Sequence, residues 1–257
     1  MAKLHFFGTC SGTEPIRGRN HLSFAAEING VYYWFDAGEG CSRTAHLSGV
    51  DLLKVKSIFI SHTHMDHIGG LGNLLWNIRK LANLSHRLPI DKCIHLYIPN
   101  MKSWDGLYGL LQNTESGFKC DYDILAQQVV DGPLYRDENI KVSAVHNHHL
   151  QAEENDSWLS FSYVIECLGK KIVFSGDVRD VYDLDASVAD GCDILIMETG
   201  HHKVDDVCKY AHAHNVKRLL FAHHGREIIN NLSLAREKIK SYNLTAYITN
   251  DGDVIEI

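Results

Sequence analysis

Long apolar runs are absent from this chain. No stretch of about 18 hydrophobic residues occurs, so no membrane-spanning helix is expected. The start, Met1-Ala2-Lys3-Leu4-His5-Phe6-Phe7-Gly8, is too short and too polar for a secretory signal and reads as a first β-strand. There is no repeat, no low-complexity run and no Pro/Ser-rich linker, so a single domain over residues 1–257 is expected. Cysteine pairs are missing as well. Cys10, Cys41, Cys93, Cys120, Cys167, Cys192 and Cys208 are scattered and odd in number, with no CxxC pair. That argues against a disulfide framework or a thiolate zinc site, and points to reduced thiols in the cytoplasm. Basic residues are in deficit: 25 Lys and Arg against 32 Asp and Glu give a net charge of −7. Phosphate backbones are held by Lys and Arg, so the composition does not suggest a general nucleic-acid binder, although a local basic patch would be compatible with it.

Histidine is what the chain has in excess: 17 residues. Neutral imidazole is the commonest metal ligand among side chains. Short apolar runs at 4–7, 22–28 and 31–35 read as strands, the last two joined by the hairpin cue Asn29-Gly30. A further strand at 55–60 runs into His62-Thr63-His64-Met65-Asp66-His67. Leu71, Leu74, Leu75, Ile78 and Leu81 then recur at helical spacing. The cluster therefore belongs on a strand-to-helix loop, where a rigid scaffold can aim several side chains at one point. From 83 to 130 only a helix near 104–111 is legible. Strands resume at 140–145, 161–166, 171–174, 193–197 and 218–221. A helix carrying Val204, Val207, Cys208 and Ala211 on one stripe, a last helix near 232–240 and two short strands complete the pattern.

Imidazoles at 62, 64 and 67 with a carboxylate at 66 cannot all reach one ion from a regular strand. From an irregular loop they can split into two sets, His62 with His64 and Asp66 with His67. Two divalent ions roughly 3.5–4 Å apart could then share a water and lower its pKa. Zinc suits this N/O donor set. Four residues cannot close two sites, so more ligands must come from later strand ends: His146-Asn147-His148-His149, Asp177 and His223-His224.

The order HxHxDH, His, Gly-Asp, His resembles the metallo-β-lactamase superfamily, and within it the chain is most similar to ribonuclease Z-like proteins. Phe7-Gly8-Thr9, Arg19-Asn20-His21-Leu22-Ser23, Phe35-Asp36-Ala37-Gly38-Glu39-Gly40 and His67-Ile68-Gly69-Gly70-Leu71 extend the likeness. The resemblance implies an α/β fold, the four-layer αββα sandwich, with two divalent metal ions, zinc by default and manganese or iron as alternatives. It implies His62, His64 and His149 on the first metal, Asp66, His67 and His223 on the second, and Asp177 between them. His148 and His224 stay open as alternatives to His149 and His223. It also implies a proton-donating role for His201, which lies 22 residues ahead of His223, with Glu198 positioning it. Asp66 would both ligate and orient the nucleophile, while Asp36 reads as a support for the metal loop. His5, His46, His86, His95, His212 and His214 read as surface or packing residues, and Gly8, Gly38 and Gly40 as turn formers.

Two departures narrow the expectation. Ribonuclease Z inserts a long tRNA-grasping arm between the third His and the bridging Asp, whereas only 28 residues separate His149 from Asp177 here, including an acidic loop at 153–156. Met65 stands where relatives carry a small residue. The expected activity is therefore that of a phosphodiesterase on a small phosphodiester: a cyclic nucleotide, a cyclic phosphate or an RNA end. Hydrolysis of a non-phosphate ester, thioester or lactam is the alternative within enzymes, and a non-catalytic metal-binding or scaffold protein the alternative outside them. A homodimer is what relatives imply.

Overall fold

The most apolar strands lie inside their sheets, because a strand covered on both faces has no polar side to show. The computed structural model describes residues 2–152 and 157–257, which leaves the acidic segment 153–156 outside the described residues. The chain forms two units, Met1–Gly8 with Asn20–Val129 and Asp251–Ile257, and Thr9–Arg19 with Val130–Asn250.

The first unit holds β1 (Ala2–Gly8), β2 (Ser23–Ile28), β3 (Val31–Phe35), β4 (Val55–Phe59), β5 (Cys93–Ile98) and β6 (Asp123–Gln128). The second holds β7 (Gly132–Arg136), β8 (Lys141–His146), β9 (Phe161–Cys167), β10 (Lys170–Phe174), β11 (Ile194–Thr199), β12 (Leu219–His224) and β13 (Ala246–Ile248). A last strand, β14 (Val254–Glu256), returns to the first sheet, whose order is β14-β1-β2-β3-β4-β5-β6. The second sheet runs β13-β12-β11-β10-β9-β8-β7. Both are mixed. In the first, antiparallel pairing on the β14 side gives way to parallel pairing from β3 to β6. In the second, parallel pairing runs from β13 to β10 and antiparallel pairing from β10 to β7.

Every residue of β3, β11 and β12 is buried. On the first unit, α1 (Cys41–Leu47), α2 (Met65–Ile68), α3 (Leu71–Ser85) and α4 (Met101–Gln112) supply the helices. Leu71, Leu74, Leu75, Ile78 and Ala82 form the buried stripe of α3 and join Trp34, Ile58 and Leu96 in one core. The second unit carries α5 (Asp185–Val188), α6 (Val204–Ala213), α7 (Arg226–Asn230) and α8 (Leu232–Ser241). There Val204, Val207, Cys208 and Ala211 pack on Leu195, Met197 and Phe221. Among the described residues no helix is long and apolar enough to cross a membrane.

The strands expected from the sequence all form. Those it did not show are β5, β6 and β7, and the short helices α1, α2, α5 and α7. β6 and β7 close the free edges of their sheets, and their alternate residues face solvent, so neither carries an apolar run. The helix near 104–111 forms as α4, started by the Asn100 side chain, which accepts from the amides of Lys102 and Ser103.

Candidate functional site

In the first unit the chain leaves β4 through Ile60 and Ser61, turns at His62 to His64, and enters the single turn of α2. His64 acts as the N-terminal cap of that turn through its carbonyl, which accepts from the amides of His67 and Ile68. Asp66 and His67 are therefore presented from a helical turn, and His64 from the extended residue that caps it. The structure brings each pair together. Nε2 of His62 lies 3.0 Å from Nδ1 of His64, and Nε2 of His67 lies 3.4 Å from a carboxylate oxygen of Asp66. Two donors each about 2.0–2.1 Å from one tetrahedral zinc stand roughly 3.3 Å apart. Both pairs fit a shared divalent ion.

His67 is oriented from behind. Its Nδ1 donates to Oδ2 of Asp36 at 2.7 Å, and both side chains are fully buried. The Asp36 carboxylate also accepts from the Ser61 amide at 2.6 Å and the Ser61 hydroxyl at 2.7 Å. Both Asp36 oxygens are thus spent on protein donors. The contact to His67 fixes the tautomer that leaves Nε2 as the lone-pair nitrogen facing Asp66. Asp36 adopts φ 51, a left-handed conformation that Asp tolerates better than most residues. Gly38 opens a turn, as expected, its carbonyl accepting from the Cys41 amide at 3.3 Å, and it is also a point of close approach. A Cβ there would collide with the carbonyl oxygen of Asp66 and come within 2.6 Å of the His21 carbonyl carbon. Met65 is 73% exposed and takes no part in the turn's core.

In the second unit the ends of β8, β10, β11 and β12 converge on Asp177. One Asp177 oxygen lies 3.3 Å from Nδ1 of His223. The other lies 3.7 Å from Nε2 of His149 and 3.7 Å from Nδ1 of His201. Asp177, Glu198, His201 and His223 each bring a donor atom within 4.8 Å of the others.

The two open choices are separated by what the neighbouring imidazoles do. His148 turns away and hydrogen-bonds Asp183 at 2.6 Å, whereas His149 faces Asp177. Asn147, fully buried, holds the loop by accepting from the His149 amide. His224 is fully buried and donates through Nε2 to the carbonyl of Thr249 at 2.8 Å. Burial drives its imidazole pKa down to about 3, so it packs as a neutral ring. His223 sits at a bulge: β11 and β12 pair Glu198 with Ala222 but Thr199 with His224. Its φ of 48 turns the ring off the strand's alternation and toward Asp177. Gly200 leaves room for that ring, since a Cβ there would lie 2.6 Å from Nδ1 of His223.

Glu198 is buried and serves several donors. Its carboxylate accepts from the His201 amide at 2.8 Å and from Nδ1 of His201 at 3.1 Å, with the Val178 amide at 3.4 Å. Burial alone would raise its pKa, but the bonds from His201 and His223 outweigh this and hold it near 2. The hydrogen bond to Glu198 in turn raises the His201 pKa, despite partial burial, and the His201 side chain stays 46% exposed. The ring is thus anchored through Nδ1 and open to solvent. Three supports escaped the sequence reading: Ser61, Asp183 and His202, whose Nε2 lies 3.4 Å from Glu198. Each adjoins a residue of the motif or faces one from a turn, and no spacing rule marks them out.

Comparison with known proteins agrees with this architecture. Human short-form tRNase Z aligns at a TM-score of 0.76 over 99% of both chains, with 20% identity. Zinc-bound PqqB from Methylobacterium extorquens aligns at 0.69 over 99% of this chain and all of its own, with 13% identity. In sequence, ribonuclease Z of Picrophilus torridus is 26% identical over 97% of this chain and 94% of its own length. Fold and donor sets together define a metal-dependent hydrolase of the metallo-β-lactamase superfamily, α/β in class and ribonuclease Z-like. Within that class, the family described as Anti-Pycsar protein Apyc1 matches residues 2–234, and the chain belongs to it.

Proposed function

We propose that the chain is a dinuclear phosphodiesterase acting on a small phosphodiester, with a cyclic nucleotide, a cyclic phosphate or an RNA end as substrate. In this reading both units serve one hydrolase domain. His62, His64 and His149 would hold one divalent ion, Asp66, His67 and His223 a second, and Asp177 would serve both. The observation that carries it is the constellation around Asp177: one oxygen faces His223, the other His149, and His201 stands beside them on a Glu198 anchor. Zinc is the metal the imidazole-rich set favours, with manganese or iron acceptable to the same donors. Bound divalent ions would supply Lewis acidity toward a phosphoryl oxygen and a nucleophile at neutral pH.

The remaining work falls to side chains. With Nδ1 held by Glu198, His201 offers Nε2 to the substrate and delivers a proton to the departing alkoxide oxygen. The hydrogen bond to Glu198 raises the His201 pKa and so favours the protonated ring. Asp66, in contact with His67, orients the attacking oxygen for in-line displacement. The reducing cytoplasm suits a chain whose seven cysteines are all unbridged.

The test is a substrate panel on the metal-loaded protein, with His201→Ala beside the wild type. Turnover of cyclic and linear phosphodiesters, with negligible thioester or lactam hydrolysis, is expected. His201→Ala should lose about 10²–10⁴-fold in kcat on an unactivated alkyl leaving group. It should lose far less on a nitrophenyl ester, which needs no proton to depart. Equal losses on both esters would remove the acid role, and a preference for thioesters or lactams would remove the phosphodiesterase reading.

A further inference from the structure

Glu198 gathers more imidazole than the anchoring of one ring requires. Its Oε1 lies 3.1 Å from Nδ1 of His201 and 3.4 Å from Nε2 of His202. Its Oε2 lies 3.7 Å from Nδ1 of His223. The side chain is only 1% exposed, and among the described residues no Lys or Arg pairs with it. A second buried carboxylate stands beside it, with a donor oxygen of Asp177 within 4.8 Å. Two buried carboxylates at this range are costly unless positive charge meets both. Coordination to a metal is one of the few ways a buried charge is satisfied.

The spacing of the donors fits one ion. Nδ1 of His201 lies 3.1 Å from Glu198 and 3.7 Å from Asp177. Nδ1 of His223 lies 3.3 Å from Asp177 and 3.7 Å from Glu198. These separations bracket the roughly 3.3 Å between donors on a tetrahedral zinc. The two rings face each other, 5.9 Å between centroids and 21° from parallel. The backbone builds this arrangement. Glu198 takes the His201 amide at 2.8 Å, which folds the turn after β11 back on itself. Gly200, inside that turn, carries no Cβ to collide with the His223 ring. All four residues belong to the second unit.

We propose that Asp177, Glu198, His201 and His223 form an alternative seat for the second divalent ion, closed by Glu198 and His201 in place of Asp66 and His67. This rests on the dinuclear reading and gives that site an idle state. An ion in the seat takes Nδ1 of His201, the atom that otherwise donates to Glu198. The ring then keeps a single proton, on Nε2, and a neutral imidazole is a far weaker acid than an imidazolium. The seat and the acid role of His201 therefore exclude each other. Metal held there is stored within the second unit and silences the proton donor.

The experiment measures zinc binding to the full chain by chelator competition, for wild type, Glu198→Gln, Asp66→Asn and the double variant. Asp66→Asn should keep a second ion, now in the seat. Glu198→Gln should then weaken that ion at least about 10-fold more in the Asp66→Asn background than in the wild type. Nuclear magnetic resonance of isotope-labelled histidine gives a second readout. The Nδ1 proton of His201 should persist in the loaded wild type and vanish as Asp66→Asn takes its second ion. Circular dichroism checks each fold, and His67→Ala replaces Asp66→Asn if that variant unfolds. Loss of the second ion in Asp66→Asn, a cost of Glu198→Gln no larger there than in wild type, or a surviving Nδ1 proton overturns the seat and leaves the dinuclear reading intact. Should the wild type bind fewer than two ions, that reading fails. The seat is then judged on the single ion: a loss of about 10-fold or more on Glu198→Gln supports it, and a smaller loss, or no ion at all, overturns it.

Discussion

Asp36→Asn is the substitution that most sharply separates supporting a ligand from being one. The two side chains have nearly the same shape, so the buried site is not emptied. What changes is the hydrogen-bond logic. The carboxylate accepts three times, from the Ser61 amide, the Ser61 hydroxyl and Nδ1 of His67. An Asn has one accepting oxygen and one donating amide. If its oxygen stays on the Ser61 amide, its NH2 faces His67, and the ring must then accept at Nδ1 and carry its proton on Nε2. That is the nitrogen needed for a metal beside Asp66. A charge-assisted hydrogen bond contributes about 1.5–3 kcal/mol. At about 1.36 kcal/mol per decade this is roughly 10- to 150-fold in metal affinity, in line with the ~10- to 100-fold cost of losing such supports elsewhere. Zinc affinity measured by competition with a chromogenic chelator provides the assay, with circular dichroism to check the fold. Asp36→Asn should bind the same number of ions as wild type, each step no tighter and one weaker by that factor. Ser61→Ala, which leaves the His67 contact in place, should weaken binding less than 10-fold. Unchanged affinity in folded Asp36→Asn would refute the tautomer argument, and a lost equivalent of metal would make Asp36 a ligand.

Two further substitutions sort neighbouring histidines. His149→Ala should lower metal content and abolish most turnover, whereas His148→Ala, which loses a bond to Asp183, should keep the metals and most of the rate; metal analysis of both variants checks this. Buried His224 should make the metal-free protein acid-sensitive. Its folded pKa, about 3, lies below the ordinary 6.5, so its contribution to stability is complete above pH 6.5 and is lost as the pH falls toward 3. The loss is about 1.4 kcal/mol per pH unit within that window. Chemical denaturation should show His224→Gln losing stability more slowly than wild type between pH 6.5 and 5, and parallel curves would contradict it.

The candidate donors could be proposed from sequence because metal chemistry restricts residue type and loop position together. A strand that ends in HxHxDH, later strands that end in His, Asp and His, and a helix that starts at Leu71 all survive in the folded chain. Two choices were not legible, and the reasons are physical. His148 and His149 differ only in which way the loop turns, and that is set by Asp183, 35 positions away in sequence. His223 and His224 are separated by a bulge and a left-handed φ, neither of which has a residue signature when the residue is not glycine. The edge strands β6 and β7 were missed because half-solvated edges need no apolar pattern. β5, with the alternating burial of its first residues, lay in the stretch where only α4 was readable.

The central claim, a dinuclear phosphodiesterase with Asp177 serving both ions, is met most directly by one titration. Metal-free protein is loaded stepwise with zinc while hydrolysis of a cyclic nucleotide is followed, for wild type and for Asp177→Asn. The account predicts that wild-type turnover saturates at two equivalents, and that Asp177→Asn binds both ions more weakly and turns over little at any loading. Saturation at one equivalent, or an Asp177→Asn variant that holds two ions tightly at full rate, would contradict it.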